Sequence, residues 1–487
     1  MRVISYCLWG DNPIYNIGLI ENIKLAKMYY KGWENWVFLH SGTVPEKTLD
    51  ELKKHDGVRI FVKDDPKIRR QRFMLWRFEP ADDNTVECFI ARDTDSRISP
   101  REVLAVREWL EFGKTLHIMR DHPCHYPKIL GGMFGMKCIG IPDVKKHPTW
   151  REEIDAFYAE HGDDTNDQSV VEEYFYDRLK DDRIIHDEIK KYEGEECRPF
   201  EVLFEKKGYF VGCYIYPDGS TDPQTSGILT NWLVHNLPHR ISPYQLTYHE
   251  SLMKVGSILK NVYVMHYSKL VERRESLKKQ INKTLLDCVS TINWVDNFDR
   301  EILTQEMINK NYRFRPEVLP RSMTLPEIAN GMAHTHILET VYKNDEIGLV
   351  LEDDTVFKKD FIHHLQHVLE NLPENWDMIC LGGPVVQVVC PAKTLPRSLE
   401  SEFTNDRIIL HKPTSPGPCT ASCFLINKKG AERILTSGFV NPISSPIDDT
   451  IWVIGKAIGL EMYWCQPWLS YEASKSGVFA TTLERGF

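Results

Sequence analysis

The sequence has no run of about twenty apolar residues, so no segment reads as a membrane-spanning helix. It has no Cys-x-x-Cys pair. Its twelve cysteines are scattered, and Cys419 and Cys423 lack a second pair at zinc-site spacing, so they read as reduced, mostly buried thiols. It has no basic excess: 60 Lys and Arg face 70 Asp and Glu, a net charge of −10. That excludes the basic face of a nucleic-acid binder. The start, Met1 to Gly10, lacks a signal peptide's layout, because its apolar run is short and no small-residue cleavage site follows. A soluble, cytoplasmic protein is expected, and the sequon Asn282-Lys283-Thr284 matters only in a secretory lumen.

What is present is a chain of 487 residues, 42% hydrophobic and 27% charged, the composition of globular protein. Two domains are expected from the length. Two stretches run from an apolar segment straight into acids. One is Glu87-Cys88-Phe89-Ile90-Ala91-Arg92-Asp93-Thr94-Asp95, the other Ile347-Gly348-Leu349-Val350-Leu351-Glu352-Asp353-Asp354. Each reads as a buried strand with carboxylates at its C-terminal end, where open α/β sheets place their ligand crevice. Acids crowded there repel one another unless a cation intervenes, and a divalent metal carrying a phosphate answers that need. The negative net charge therefore does not exclude an anionic nucleotide-sugar.

The first half alternates strand and helix: Val3 to Leu8, a helix from Tyr15 to Tyr30, Trp36 to His40, a short helix after Pro45, and Val58 to Val62. The first helix is expected to bury Ile17, Ile20, Ile23, Leu25 and Ala26. Ser99 is expected to cap a helix opening with Pro100 and Glu102. The turn-rich segment Tyr216 to Gly227 marks a linker, with bridging helices to about Leu259. A second α/β unit starts at Asn261. Expected domains are 1–215, a 216–258 connection, and 259–487.

In the second half several blocks, in order, resemble glycosyltransferase family 25, the lipopolysaccharide-type and collagen-type sugar transferases. They are Val262-Tyr263-Val264-Met265-His266-Tyr267 with Glu272-Arg273-Arg274-Glu275-Ser276-Leu277; Gly331-Met332-Ala333-His334-Thr335-His336; Leu349 to Asp354; Ser422 to Ala431; and Pro446-Ile447-Asp448-Asp449. Two departures stand out: Thr335 takes the place of a Ser, and His266-Tyr267 that of an Asn-Leu. The resemblance implies inversion at the anomeric carbon and a UDP-sugar donor, UDP-galactose or UDP-glucose.

The chemistry also follows from the residues. Glycosyl transfer expels a diphosphate, and Mn²⁺ or Mg²⁺ on carboxylates stabilises the growing charge. Alternation along a strand puts Glu352 and Asp354 on one side as metal ligands, with Asp353 turned the other way towards sugar hydroxyls. Asp448 and Asp449 are candidates for the base that takes the acceptor proton. Arg273 and Arg274 suit the diphosphate, with a solvated helix face as the competing reading. His336 is a candidate donor contact, although packing or hydrogen bonding is the simpler role for both His334 and His336.

The first half resembles, more loosely, uncharacterised GT-A-type glycosyltransferases of bacteria and large DNA viruses. The resemblance rests on Arg92-Asp93-Thr94-Asp95-Ser96-Arg97, Met119 to His125, Gly131-Gly132-Met133, Asn166-Asp167-Gln168, His186-Asp187 and Tyr209 to Gly212. By the same logic Asp93 and Asp95 are metal ligands, His186 a third ligand, and Asp167 a base or acceptor-binding acid. Arg92, Arg97 and Arg120 are candidates to meet phosphate or sugar. The glycine pair is expected to let a sugar approach the backbone.

The expected fold is thus two α/β, GT-A-like, Rossmann-like domains in tandem. The expected function is a bifunctional metal-dependent glycosyltransferase acting from nucleotide-sugars on a glycan or glycoprotein acceptor. One alternative is a single active domain joined to an inactive glycan-binding or scaffold domain. A metal-dependent phosphatase or nuclease shares the carboxylates but wants further ligands for a second metal.

Overall fold

The computed structural model describes residues 1–64, 70–138, 149–162, 167–383, 408–412, 421–451 and 455–474. Asn166 and Cys419, named above, lie outside the described residues. The chain forms two compact units, Met1–Gln245 and Leu246–Phe487. Among the described residues no helix is long and apolar enough to cross a membrane.

The first unit is built on a mixed sheet of strands β1 (Arg2–Leu8), β2 (Glu34–His40), β3 (Val58–Lys63), β4 (Cys88–Arg92), β5 (Leu116–Met119), β6 (Met133–Lys137), β7 (Arg183–His186) and β8 (Cys197–Arg198). Their order is β3-β2-β1-β4-β6-β5-β7-β8. β6 runs antiparallel to both neighbours, and the other pairs are parallel. β4 is buried along its whole length, as its unbroken apolar run requires. Its aromatic surroundings, Phe78, Phe89, Phe134 and Phe175, form the centre of this core.

The helix Pro13–Tyr29 is capped by Asn12, whose side chain accepts from the Ile14 amide at 3.0 Å. Ile23 and Ala26 are buried as expected, joined by Asn16, Leu19 and Asn22, whereas Ile20 and Leu25 are half-buried and Ile17 is exposed. The reason is polar. Asn22 donates to Ser96 O at 2.8 Å and accepts from the Ile98 amide at 2.9 Å, tying this helix to the loop after β4. Ser99 caps the helix Pro100–Phe112 as expected, its side chain accepting from the Glu102 amide. The turn-rich stretch from Tyr216 folds back on this unit, with Thr225 O 3.0 Å from His122 Nε2. The following helix, Pro223–Asn236, packs Leu229 and Leu233 against Phe204 and Phe210.

The second unit contains β9 (Asn261–Met265), β10 (Thr291–Val295), β11 (Ile347–Glu352), β12 (Thr355–Phe357), β13 (Met378–Cys380), β14 (Gly382–Gly383), β15 (Ile409–His411), β16 (Cys423–Asn427), β17 (Met462–Gln466) and β18 (Ser470–Glu472). The larger sheet has the order β10-β9-β11-β16-β13-β17-β15, and β12-β18-β14 form a small one. β11 is parallel to β9 and antiparallel to β16. The helix Leu325–Asn344 opens with a capping box, in which Thr324 and Glu327 satisfy each other's backbone amides. It lays Ile337, Leu338 and Val341 into the core beneath β11.

In both units the acid-ended strand therefore lies between a parallel and an antiparallel neighbour, β4 between β1 and β6, and β11 between β9 and β16.

Candidate functional sites

In the second unit β11 ends at Glu352, and the chain turns through Asp353 and Asp354 before β12. Antiparallel pairing carries Ser422 alongside, where its carbonyl accepts from the Glu352 amide at 2.8 Å. The helix Leu325–Asn344 brings Asn330 and His334 to the same carboxylate. Asn330 Nδ2 and His334 Nε2 each lie 3.3 Å from Glu352 Oε1.

Glu352 is pushed well above the usual carboxylate range, first by burial and then by the nearby charges of Asp448 and Asp354. Burial pushes His334 down to about 4, with Asp448 opposing. Asp354 is buried, and its Oδ1 has no hydrogen-bond partner among the described residues. Its Oδ2 accepts from the Ser474 amide at 3.3 Å. Three carboxylates thus share one region with one orphaned oxygen. Carboxylate oxygens are the donor type that a hard dication takes.

Asp353 takes other partners than Glu352, but it does not face open space towards a sugar. Asp353 is buried and accepts from the Tyr267 amide at 3.2 Å and from Arg273 Nη1 at 3.0 Å, and His266 Nδ1 lies 3.0 Å from its Oδ2. Arg273, expected at the diphosphate, is itself buried and spends its charge on Asp353, with Asp354 Oδ2 at 3.9 Å. Arg274 turns to the surface, pairs with Asp296 at 2.9 Å and covers the Trp294 ring. The helix Val271–Thr284 thus supplies an internal counter-ion rather than an arginine fork.

Asp448 and Asp449 lie in the short helix Ile447–Asp449, whose cap residue is Pro446. Asp448 is the one whose charge reaches Glu352 and His334. Asp449 is exposed and neighbours Glu327 and Arg321. His336 points away from the acids, because two residues along a helix turn a side chain by about 200°. It is exposed against Phe298. His334 is the histidine at the site. Its spacing of four from Asn330 was the available signal, one helical turn aimed at one partner.

In the first unit Asp93 and Asp95 follow β4 in a loop held by Asn22. Gly18 stands at the closest approach, since a Cβ there would lie 1.9 Å from Thr94 O. Arg77 was not singled out from the sequence, yet it is the centre of this site. It is buried, its Nη1 donates to Asp93 Oδ1, and its Nη2 donates to Asp167 Oδ2 at 2.7 Å. Burial acts to lower its pKa, but Asp93 and Asp167 outweigh that and raise it. Asp167 is buried at the start of the helix Asp167–Val171, and burial raises its carboxyl against the pull of Arg77. Asp95 is pushed up to about 6, first by burial and then by Asp93.

The glycine pair has a role other than the expected one. A Cβ on Gly132 would lie 2.0 Å from Asp93 Oδ2, and one on Gly131 would lie 2.4 Å from Asp167 Oδ2. The backbone is bare there to admit two carboxylates of the protein, not a sugar.

His186 does not join Asp93 and Asp95. β6 and β5 lie between β4 and β7, and its ring nitrogens face His117 Nε2 at 2.9 Å and Glu108 Oε2 at 3.0 Å. Arg92 cannot meet a ligand either. It is fully buried, pairing with Glu102 at 3.0 Å and donating to Ser96 Oγ. Arg120 is likewise buried between Asp187 and Glu195. Arg97 donates to the Thr94 and Ser96 carbonyls and so braces the acid loop.

Among the described residues no group of three or more His, Cys, Asp or Glu is arranged to hold a metal ion. A cation at either acid pair would complete its oxygen shell from a ligand or water.

No curated protein matches the chain. Residues 259–451 match the family model described as glycosyltransferase family 25 (LPS biosynthesis protein). The matched span holds Glu352, Asp354, His334 and Asp448. The C-terminal half is therefore similar to family 25, and the protein is a glycosyltransferase.

Proposed function

We propose that the second unit transfers a hexose from a UDP-sugar to a hydroxyl of a glycan or glycoprotein, with inversion, and that the first unit is a second transferase acting on the same growing glycan. The observation that carries the first part is that the charges of Asp448 and Asp354 both bear on buried Glu352, while Asp354 keeps a buried oxygen unpartnered among the described residues. Glu352 and Asp354 would hold Mn²⁺ or Mg²⁺. Bound there, the ion would act as a Lewis acid towards the departing diphosphate.

The chain's own residues supply the rest. Asp448, of the two candidate bases, is the one near the acids, and it takes the proton as the acceptor oxygen forms its bond to the anomeric carbon. The bond from that carbon to the diphosphate oxygen breaks, and its electron pair leaves with the nucleotide. His334 and Asn330 orient Glu352. Arg273 and His266 fix Asp353, which sets the turn carrying Asp354.

The matching strand arrangement and second acid loop support a second transferase in the first unit. One observation favours the alternative, a first unit that binds glycan without catalysis: Arg77 already occupies the space between Asp93 and Asp167. Full-length Asp95→Ala and Asp354→Ala variants separate the readings. Products formed from a panel of UDP-sugars and oligosaccharides would be resolved by mass spectrometry. Two active units predict that each variant loses a different linkage. Asp95→Ala with every linkage intact leaves the single-transferase reading, and Asp354→Ala with full activity removes the site proposed here.

A further inference from the structure

A cavity of about 440 Å³ opens in the second unit on another face of the helix Leu325–Asn344. Asn330 and His334 point to Glu352, whereas Met332, Thr335, His336 and Glu339 line the cavity. At about 100° per residue the two sets lie on roughly opposite sides of the helix. The helix body, about 10 Å across, separates the cavity from Glu352. Its far wall comes from Phe298 and from Glu306, Met307 and Lys310.

The lining is chemically mixed. Phe298 offers an aromatic face, in contact with the His336 ring at 5.5 Å between centroids. Among the described residues the side chains of Glu306, Lys310, His336 and Glu339 have no hydrogen-bond or ion-pair partner. They therefore offer the cavity acceptors, donors and an imidazole that can be either. Met307, Met332 and Ile443 make the floor apolar. Two carboxylates against one ammonium disfavour a phosphate or carboxylate ligand. A planar nucleobase would leave most of those hydrogen-bonding groups unused. A neutral sugar ring uses all of them, since its C–H face lies on an aromatic ring while hydroxyls at its edge both donate and accept. The volume lies in the range of small-molecule sites.

We infer that this cavity is a second carbohydrate site, which holds one neutral sugar residue of the acceptor glycan away from the reacting hydroxyl. The inference deepens the proposed function and rests on it for the ligand's class. It gives the enzyme a hold on a part of the acceptor that does not react, which orients the chain without changing the chemistry.

The test is methyl NMR on the full-length protein with ¹³C-methyl methionine, the Met307 and Met332 signals being assigned through Met307→Leu and Met332→Leu. The probes are methyl β-galactopyranoside, methyl α-glucopyranoside and methyl α-mannopyranoside, titrated to about 100 mM. At least one is expected to shift both signals saturably, and Glu339→Gln and Phe298→Leu are expected to weaken that binding at least tenfold. Glu352→Gln is expected to leave the shifts intact while removing the same linkage that Asp354→Ala loses. Absence of shifts with all three glycosides overturns the inference, as do shifts unchanged in both cavity variants. Saturable shifts with turnover undiminished in Glu352→Gln would keep the second site and reject the catalytic reading.

Discussion

His334 Nε2 lies 3.3 Å from Glu352 Oε1, with His334 sealed from solvent and Glu352 partly so. Burial holds the imidazole neutral at physiological pH. A neutral ring beside a carboxylate oxygen orients it without neutralising it, the usual relation between a metal's ligand and the group behind that ligand. His334→Ala should therefore raise the Mn²⁺ concentration for half-maximal activity by about tenfold or more. The donor's KM at saturating metal should change little. A Mn²⁺ titration of UDP-sugar hydrolysis checks this, and an unchanged metal dependence would count against the role given to Glu352.

Neighbouring acids should fail in different ways. Asp354→Asn is expected to lower turnover by about a hundredfold to a thousandfold with little change in thermal midpoint. Asp353→Asn should do the reverse. It removes the carboxylate charge that buried Arg273 meets at 3.0 Å, and breaking a buried ion pair of this kind costs about 3–5 kcal/mol. Thermal unfolding and turnover measured on the two variants decide it. Loss of activity without loss of stability in Asp353→Asn would return that residue to the donor.

Arg77 offsets Asp93 and Asp167 at once. Arg77→Met removes the only cation that the described residues place between them, and about 3–5 kcal/mol of stability should go with it. Asp167→Asn in the same chain should restore part of the loss, because one fewer charge is then stranded. Unfolding midpoints of the single and double variants form the cycle. Simple additivity would show that the pair is not coupled.

Asp95 gives a pH signature. Its folded pKa, about 6, lies above its ordinary value. The folded state therefore holds the proton more tightly than the unfolded chain does. The associated stability is complete at low pH and is lost as pH rises through about 4 to about 6. Asp95→Asn cannot titrate, so it should gain on the wild type across that window and level off above it, by about 3 kcal/mol. Thermal midpoints of both proteins from pH 4 to pH 8 test this. Parallel curves would mean that the carboxylate is not strained by its surroundings.

The sequence made the skeleton legible wherever local rules were unopposed. The two acid-ended strands, the Ser99 cap and the start at Asn261 all come from periodicity, caps and apolar runs, which need no knowledge of partners. Long-range pairing was not legible. Nothing local in Leu75-Trp76-Arg77-Phe78 says that its arginine will lie between Asp93 and Asp167. Nothing local says that the glycine pair makes room for those acids. Alternation turns Asp353 away from the partners of Glu352, but nothing local says that Arg273 and His266 already hold it there. His334 and His336 share one motif, and only the helix's rotation assigns them to different faces.

Each acid cluster carries its own arginine, Arg77 in the first unit and Arg273 in the second. Part of the repulsion among the acids is thus cancelled by the chain itself. On the metal-dependent reading proposed above, synthesis and loading are then separate events: the chain folds first and takes up cation and nucleotide afterwards. A chelator should on that reading silence the enzyme reversibly rather than unravel it.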